Sequence, residues 1–211
     1  DPVSSLDHLH REAIAKRLAE EGRKRQVIVF THDLPFLFLL RNACVQGDDP
    51  ALKTEVAVRH IQKRQDKPGY CRNEPPEKAQ DARSRLKTMR NHLAKARVQH
   101  DNDPDGTDWL MTARGLIDSL RQAWEAAVED AIAPVLRTFH SKVNTKGFAK
   151  LSAITEQHAT TMRHHYGECS ILLHKVSDAM NPEAPTPDRI ETELGALESW
   201  LEDVENRQNK I

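Results

Sequence analysis

Asp1-Pro2-Val3-Ser4-Ser5-Leu6-Asp7 and, one helix later, Gln26-Val27-Ile28-Val29-Phe30-Thr31-His32-Asp33 are the two stretches on which the reading of the fold turns. Between them, residues 7 to 24 predict a helix, with Leu9, Ala13, Ile14 and Leu18 around one apolar stripe and Gly22 as a stop signal. Gln26 to Phe30 is a short apolar run of Val, Ile and Phe, the pattern of a parallel strand buried on both faces. Ligands of open α/β sheets bind beyond the carboxyl ends of such strands, where Thr31-His32-Asp33 falls. A carboxylate and an imidazole placed there suit phosphoryl transfer, which asks the protein mainly for a positioned water and polar groups around the γ-phosphate. The ordinary alternative is a surface Asp and a helix-capping Thr-His-Asp; the D-P-x-S-S-L-D run upstream weighs against it.

In this order, the two stretches resemble the end of an ABC-type ATPase head, as in the SMC-like and anticodon-nuclease-like branches of the bacterial AAA family ATPases. The resemblance covers residues 1 to about 40. It implies that Asp1, the acidic residue before Pro2, closes the Walker B strand and polarises the attacking water. It implies that Ser4 to Asp7 is the D-loop, through which Ser4, Ser5 and Asp7 communicate with the opposite head. His32 is then the switch histidine that senses the γ-phosphate. ATP and Mg2+ are the ligands expected of the full-length protein, and a second head in a homodimer is the expected partner. No G-x-x-x-x-G-K-[ST] phosphate loop occurs in the sequence, nor does a strand bearing the magnesium-binding carboxylate precede Asp1. The expectation is therefore a carboxy-terminal piece of a longer ATPase, inactive alone. A related resemblance is to bacterial defence ATPases, in which ATP use gates a nucleic-acid effector; that step is analogy at the level of the fold.

Composition sets the outer bounds. Across 211 residues, 38% apolar and 30% charged content fits a helix-rich soluble protein of one domain or one and a half. A net charge of −1 gives no global pull toward nucleic acid or membrane, so any such argument has to be local. Cys44, Cys71 and Cys169 are scattered singly, which fits a reducing cytosol rather than a disulfide framework. With no signal peptide and no long apolar run, a cytoplasmic location without a membrane partner is expected.

The expected fold is mainly α with a small α/β part: about two strands remaining from a P-loop ATPase sheet, then an α-helical tail. A helix is expected over 33 to 45, with Pro35 in its first turn, and Glu55 to Lys63 alternates as an edge strand. Pro68-Gly69 and Pro75-Pro76 form the strongest breaker cluster and place a boundary between a head remnant, 1–70, and a tail, 71–211. In the tail, helices are expected over 77 to 100, from Thr107 to about Phe139 with Pro134 ending or kinking it, near 154 to 179, and from Pro187 to about Gln208. The last carries Ile190, Leu194, Leu197, Leu201 and Val204 in 4-3-4-3 spacing, a seam for another helix. That seam also supports a non-enzymatic reading, an interaction module docking on a partner.

Three groups of polar residues invite chemistry. Arg83, Arg85, Lys87, Arg90, Lys95 and Arg97 lie on one expected helix without an acid among them, and such a helix could track a nucleic-acid backbone. The favoured reading is a solvated face that pairs with the acidic final segment, since aromatic residues for base stacking are lacking. Arg121-x-x-x-Glu125 with a downstream histidine such as His158 resembles the arrangement of anticodon nucleases, ABC-type ATPases fused to a helical ribonuclease tail. Glu or His would take the 2′-hydroxyl proton and Arg would stabilise the phosphorane charge. An i,i+4 ion pair is the more ordinary reading. His158, His165 and Cys169 share a helical face, but the first and last are about 16 Å apart at 1.5 Å per residue, so they read as polar members of a helix seam rather than metal ligands.

Overall fold

The computed structural model describes all residues except 1, 2, 4, 5, 46–53, 66, 74, 77–79, 133–145 and 179, and only the backbone of 8, 45 and 146. The chain is mainly helical with one two-stranded antiparallel sheet, and its described residues fall into two compact units, one within 1–79 and one within 80–211.

The first unit begins with α1 (His8–Gly22) and α2 (Leu34–Val45). Asp7 caps α1, its carboxylate accepting from the His10 N–H at 3.1 Å, and Asp33 does the same for α2 through the Phe36 N–H at 3.1 Å. Both satisfy donors that a helix start leaves unpaired. Ala15, Phe36 and Leu39 form a small core with Val3, Ile14, Leu18, Val29, Leu40 and Ala43 packed on it. Thr54 joins this unit by donating its hydroxyl to the Ala19 carbonyl at 3.0 Å.

The strand expected at Gln26 to Phe30 does not form. The segment is without regular structure and pairs with no strand among the described residues. It keeps the two-residue alternation of a strand: Val27 and Val29 are half-buried, while Ile28 and Phe30 are 70% and 79% exposed. A ladder needs a neighbouring backbone to receive its N–H and C=O groups, and apolar sequence alone does not supply one. The sheet lies elsewhere. β1 (His60–Arg64) pairs with β2 (Lys67–Arg72), so only the end of the expected edge strand is extended in a ladder, and Pro68-Gly69 sits within a strand rather than in a boundary. Gly69 takes φ +97, which a residue with a side chain adopts only under strain, and this admits the Pro-Gly pair to the hairpin.

The second unit is a four-helix bundle of α3 (Ala82–Asn102), α4 (Thr107–Ile132), α5 (Glu156–Val176) and α6 (Pro187–Gln208), with a 3-10 helix (Lys146–Ala153) packed on α6. The four helices form where periodicity placed them, whereas Pro134 and the expected helix end near Phe139 lie outside the described residues. Pairs along the helices fix their directions. Arg83 meets Glu205, Arg90 meets Glu191 and Glu198, and Arg97 meets Asp188, so α3 and α6 run antiparallel. His158 with Asp203 and Arg189 with Glu168 set α5 antiparallel to α6. Trp109, Leu116, Leu120 and Trp124 of α4 fill the centre with Leu86 and Leu93 of α3 and with Ile190, Leu194 and Leu197 of α6. The apolar seam of α6 is therefore occupied inside its own unit.

Candidate functional site

In the first unit, one side chain ties the two motif segments together. Arg11, on α1, donates from Nε to the carbonyls of Val3 at 3.1 Å and Leu6 at 3.0 Å, and from Nη1 to Asp33 Oδ2 at 2.8 Å. The Val3–Leu6 turn is itself closed by the Leu6 N–H donating to the Val3 carbonyl at 3.1 Å. On the other side, the Asp33 N–H donates to Thr31 Oγ1 at 3.0 Å. Both segments are thus held on the same guanidinium, whose rigid fork suits several acceptors at once. His32, exposed, lies in the turn fixed by Thr31 and Asp33.

Asp7, expected to face an opposite head, caps α1 and also meets His10 Nδ1 at 2.8 Å; the His10 backbone N–H, above all, holds its carboxyl below the usual range. Asp1, Ser4 and Ser5 lie outside the described residues. Among the described residues no group of three or more His, Cys, Asp or Glu is placed to hold a metal ion.

In the second unit, Arg121 and Glu125 meet through a residue that the spacing did not single out. The Tyr166 hydroxyl donates to Glu125 at 2.8 Å and accepts from Arg121 Nη1 at 3.4 Å, and the guanidinium lies 5.9 Å from the ring centre. The bond to Glu125 is the main reason the Tyr166 hydroxyl is pushed up from its ordinary value, and Tyr166 is the first cause of the rise at Arg121. Arg121 Nε is shielded and has no partner among the described residues. Tyr166 was missed because it lies 41 residues from Glu125, on another helix.

His158 has other partners. Its Nδ1 accepts from the Thr155 N–H at 3.0 Å as part of a capping box, its Nε2 lies 2.8 Å from Asp203, and its carbonyl accepts from Trp200 Nε1 at 2.9 Å. An acceptor Nδ1 leaves the proton on Nε2, directed at the carboxylate. His158 therefore starts α5 and joins it to α6, with no hydrogen bond to Arg121 or Glu125.

The basic face of α3 is largely used within the bundle. Arg83, Arg90 and Arg97 each pair with carboxylates of α6, and Arg85 donates to the Gln80 carbonyl. No protein-family model matches the chain, and no curated protein and no solved structure matches it significantly.

Proposed function

We propose that the first unit contributes to the nucleotide site of an ABC-type ATPase head, with Asp1 polarising water, His32 sensing the γ-phosphate, and Ser4, Ser5 and Asp7 communicating with a second head. The observation that carries this reading is the Arg11 tie between the Val3–Leu6 turn and Asp33. It gives the two motif segments one anchor, as a site assembled from both would require. The exposed Ile28 and Phe30 add support: an extended apolar segment with one face open suits the docking of a larger sheet. ATP is the substrate, and the phosphate loop and magnesium carboxylate belong to sequence other than these 211 residues. Among the described residues no helix is long and apolar enough to cross a membrane; the proposed cytoplasmic location is supported by the singly scattered cysteines, which fit a reducing compartment.

The test is ATP turnover by the ATPase that contains this segment. His32→Ala or Asp1→Asn is expected to lower kcat by about 100-fold or more while nucleotide binding persists, because both groups act on the water and the developing charge. Equal loss of binding and turnover overturns the reading. A second reading, in which the bundle is an RNA-cleaving effector, is favoured by the Arg121–Tyr166–Glu125 cluster. For it, Glu125→Gln is expected to abolish cleavage of RNA without lowering the unfolding midpoint.

A further inference from the structure

We infer that the β1–β2 hairpin is a binding surface for single-stranded nucleic acid. Residues 59 to 72 carry five cations, Arg59, Lys63, Arg64, Lys67 and Arg72, against one acid, Asp66, in a chain whose net charge is −1. Among the described residues none of the five pairs with a carboxylate. The contrast with α3 is direct, since Arg83, Arg90 and Arg97 are each paired with carboxylates of α6 and, among the described residues, the hairpin cations are not.

Packing does not account for the hairpin's composition. Every residue of β2 is exposed, and Ile61 and Tyr70 remain 55% and 42% exposed. Directly paired residues of an antiparallel ladder share a face, so the pairs His60–Arg72 and Gln62–Tyr70 put these four on one side and Ile61–Cys71 on the other. Gln62 Nε2 lies 3.2 Å from His60 Nδ1, and the Arg64 guanidinium sits over the Tyr70 ring at 5.0 Å. Arg64, Gln65, Lys67 and Tyr70 line one open concavity.

One face of the ribbon therefore combines three cations with an aromatic ring. Cations follow the phosphates of a nucleic-acid strand, and an aromatic ring offers a surface on which an unpaired base can stack. Duplex bases are already stacked and paired, so the ring favours a single strand. This assignment stands apart from the nucleotide-site proposal, because none of these residues belongs to the two motif segments.

Fluorescence anisotropy of the 211-residue chain with a labelled deoxythymidine oligonucleotide, across a salt series, is the test. Replacing Arg64, Lys67 and Arg72 together by Gln is expected to weaken binding by about tenfold or more and to reduce the salt slope by about 2, at about 0.7 per lost phosphate contact. Tyr70→Leu, which leaves every charge in place, is expected to weaken binding with the slope unchanged, and Arg64→Lys with Arg72→Lys to keep the slope. Arg90→Gln with Arg97→Gln on α3 is expected to change neither. Binding by the triple variant equal to that of the parent overturns the assignment, as does tighter binding of the duplex than of the single strand.

Discussion

Glu193 Oε2 lies 2.7 Å from His165 Nδ1, and Glu193 Oε1 is held by Arg189 at 2.9 Å, so a carboxylate only 2% exposed sits between two basic partners at the α5–α6 seam. The His165 ring in turn stacks on Trp124 of α4, 5.7 Å between centres and 4° from parallel. Three helices are thus joined at one buried acid. Glu193→Ala would leave His165 Nδ1 without its carboxylate while Arg189 keeps Glu168, so the cost is expected at the lower end of the about 3–5 kcal/mol for breaking a buried pair. Glu193→Gln, which keeps hydrogen-bonding capacity, is expected to cost less. Denaturant unfolding of the two variants measures both.

Leu197 is completely enclosed in the bundle. Leu197→Ala is expected to remove about 2–5 kcal/mol, the range for Leu to Ala at sites that cannot collapse around the cavity. An unchanged unfolding midpoint would mean that the α6 seam is not buried in solution.

Arg11→Ala should loosen both turns of the first unit. Hydrogen bonds to charged groups contribute about 1.5–3 kcal/mol, and Arg11 and Asp33 are mostly shielded from water. Arg11→Lys is expected to recover little of the loss, since an ammonium does not reproduce the fork that reaches Val3, Leu6 and Asp33 together. Hydrogen exchange at the α1 and α2 amino-terminal turns reads the difference.

The three cysteines should react in a defined order. Burial, reinforced by the neighbouring Glu193 and Glu168 charges, pushes the Cys169 thiol up to about 12, and burial also raises Cys44. Cys71 is exposed on the hairpin. Iodoacetamide near neutral pH is expected to modify Cys71 quickly and Cys169 only on unfolding, because the thiolate is the nucleophile. Rapid modification of Cys169 in the folded protein would contradict its enclosure.

Acid should weaken the α5–α6 junction through Asp203. The Arg207 side chain first, and His158 next, hold its carboxyl below the ordinary 3.8. A carboxyl lowered on folding stabilises the native state above its unfolded pKa, and that contribution disappears as pH falls through the lowered folded value. Asp203→Asn is therefore expected to be less stable than the parent above about pH 5, with the gap closing as pH falls below the ordinary 3.8 and through the lowered folded value. Thermal midpoints across that range test it.

Helices were legible where local pattern and burial agree. The stripe of α6, its start at Pro187, and the cations of α3 all pointed to the bundle seen here. Strands were read less well, because a strand is completed by a partner that its own sequence does not contain. Val27 to Phe30 has the composition without a neighbour, while Lys67 to Arg72, with Pro and Gly inside it, pairs because the adjacent hairpin segment is close. The same limit applies to the sites. Asp7 and Asp33 were visible as turn residues, but Arg11 and Tyr166 act across space, and nothing in their immediate sequence marks them.

The ion pairs between α3 and α6 bear on how fast the bundle forms. Arg83 and Glu205 are 122 residues apart, whereas the Thr112–Gln99 bond beside the α3–α4 loop spans 13. By loop-closure entropy, the longer connection costs about 2 kcal/mol more to close. The α3–α4 hairpin can therefore assemble early from neighbouring chain, while the docking of α6 is the high-contact-order step that slows folding relative to helical bundles built from adjacent pairs alone.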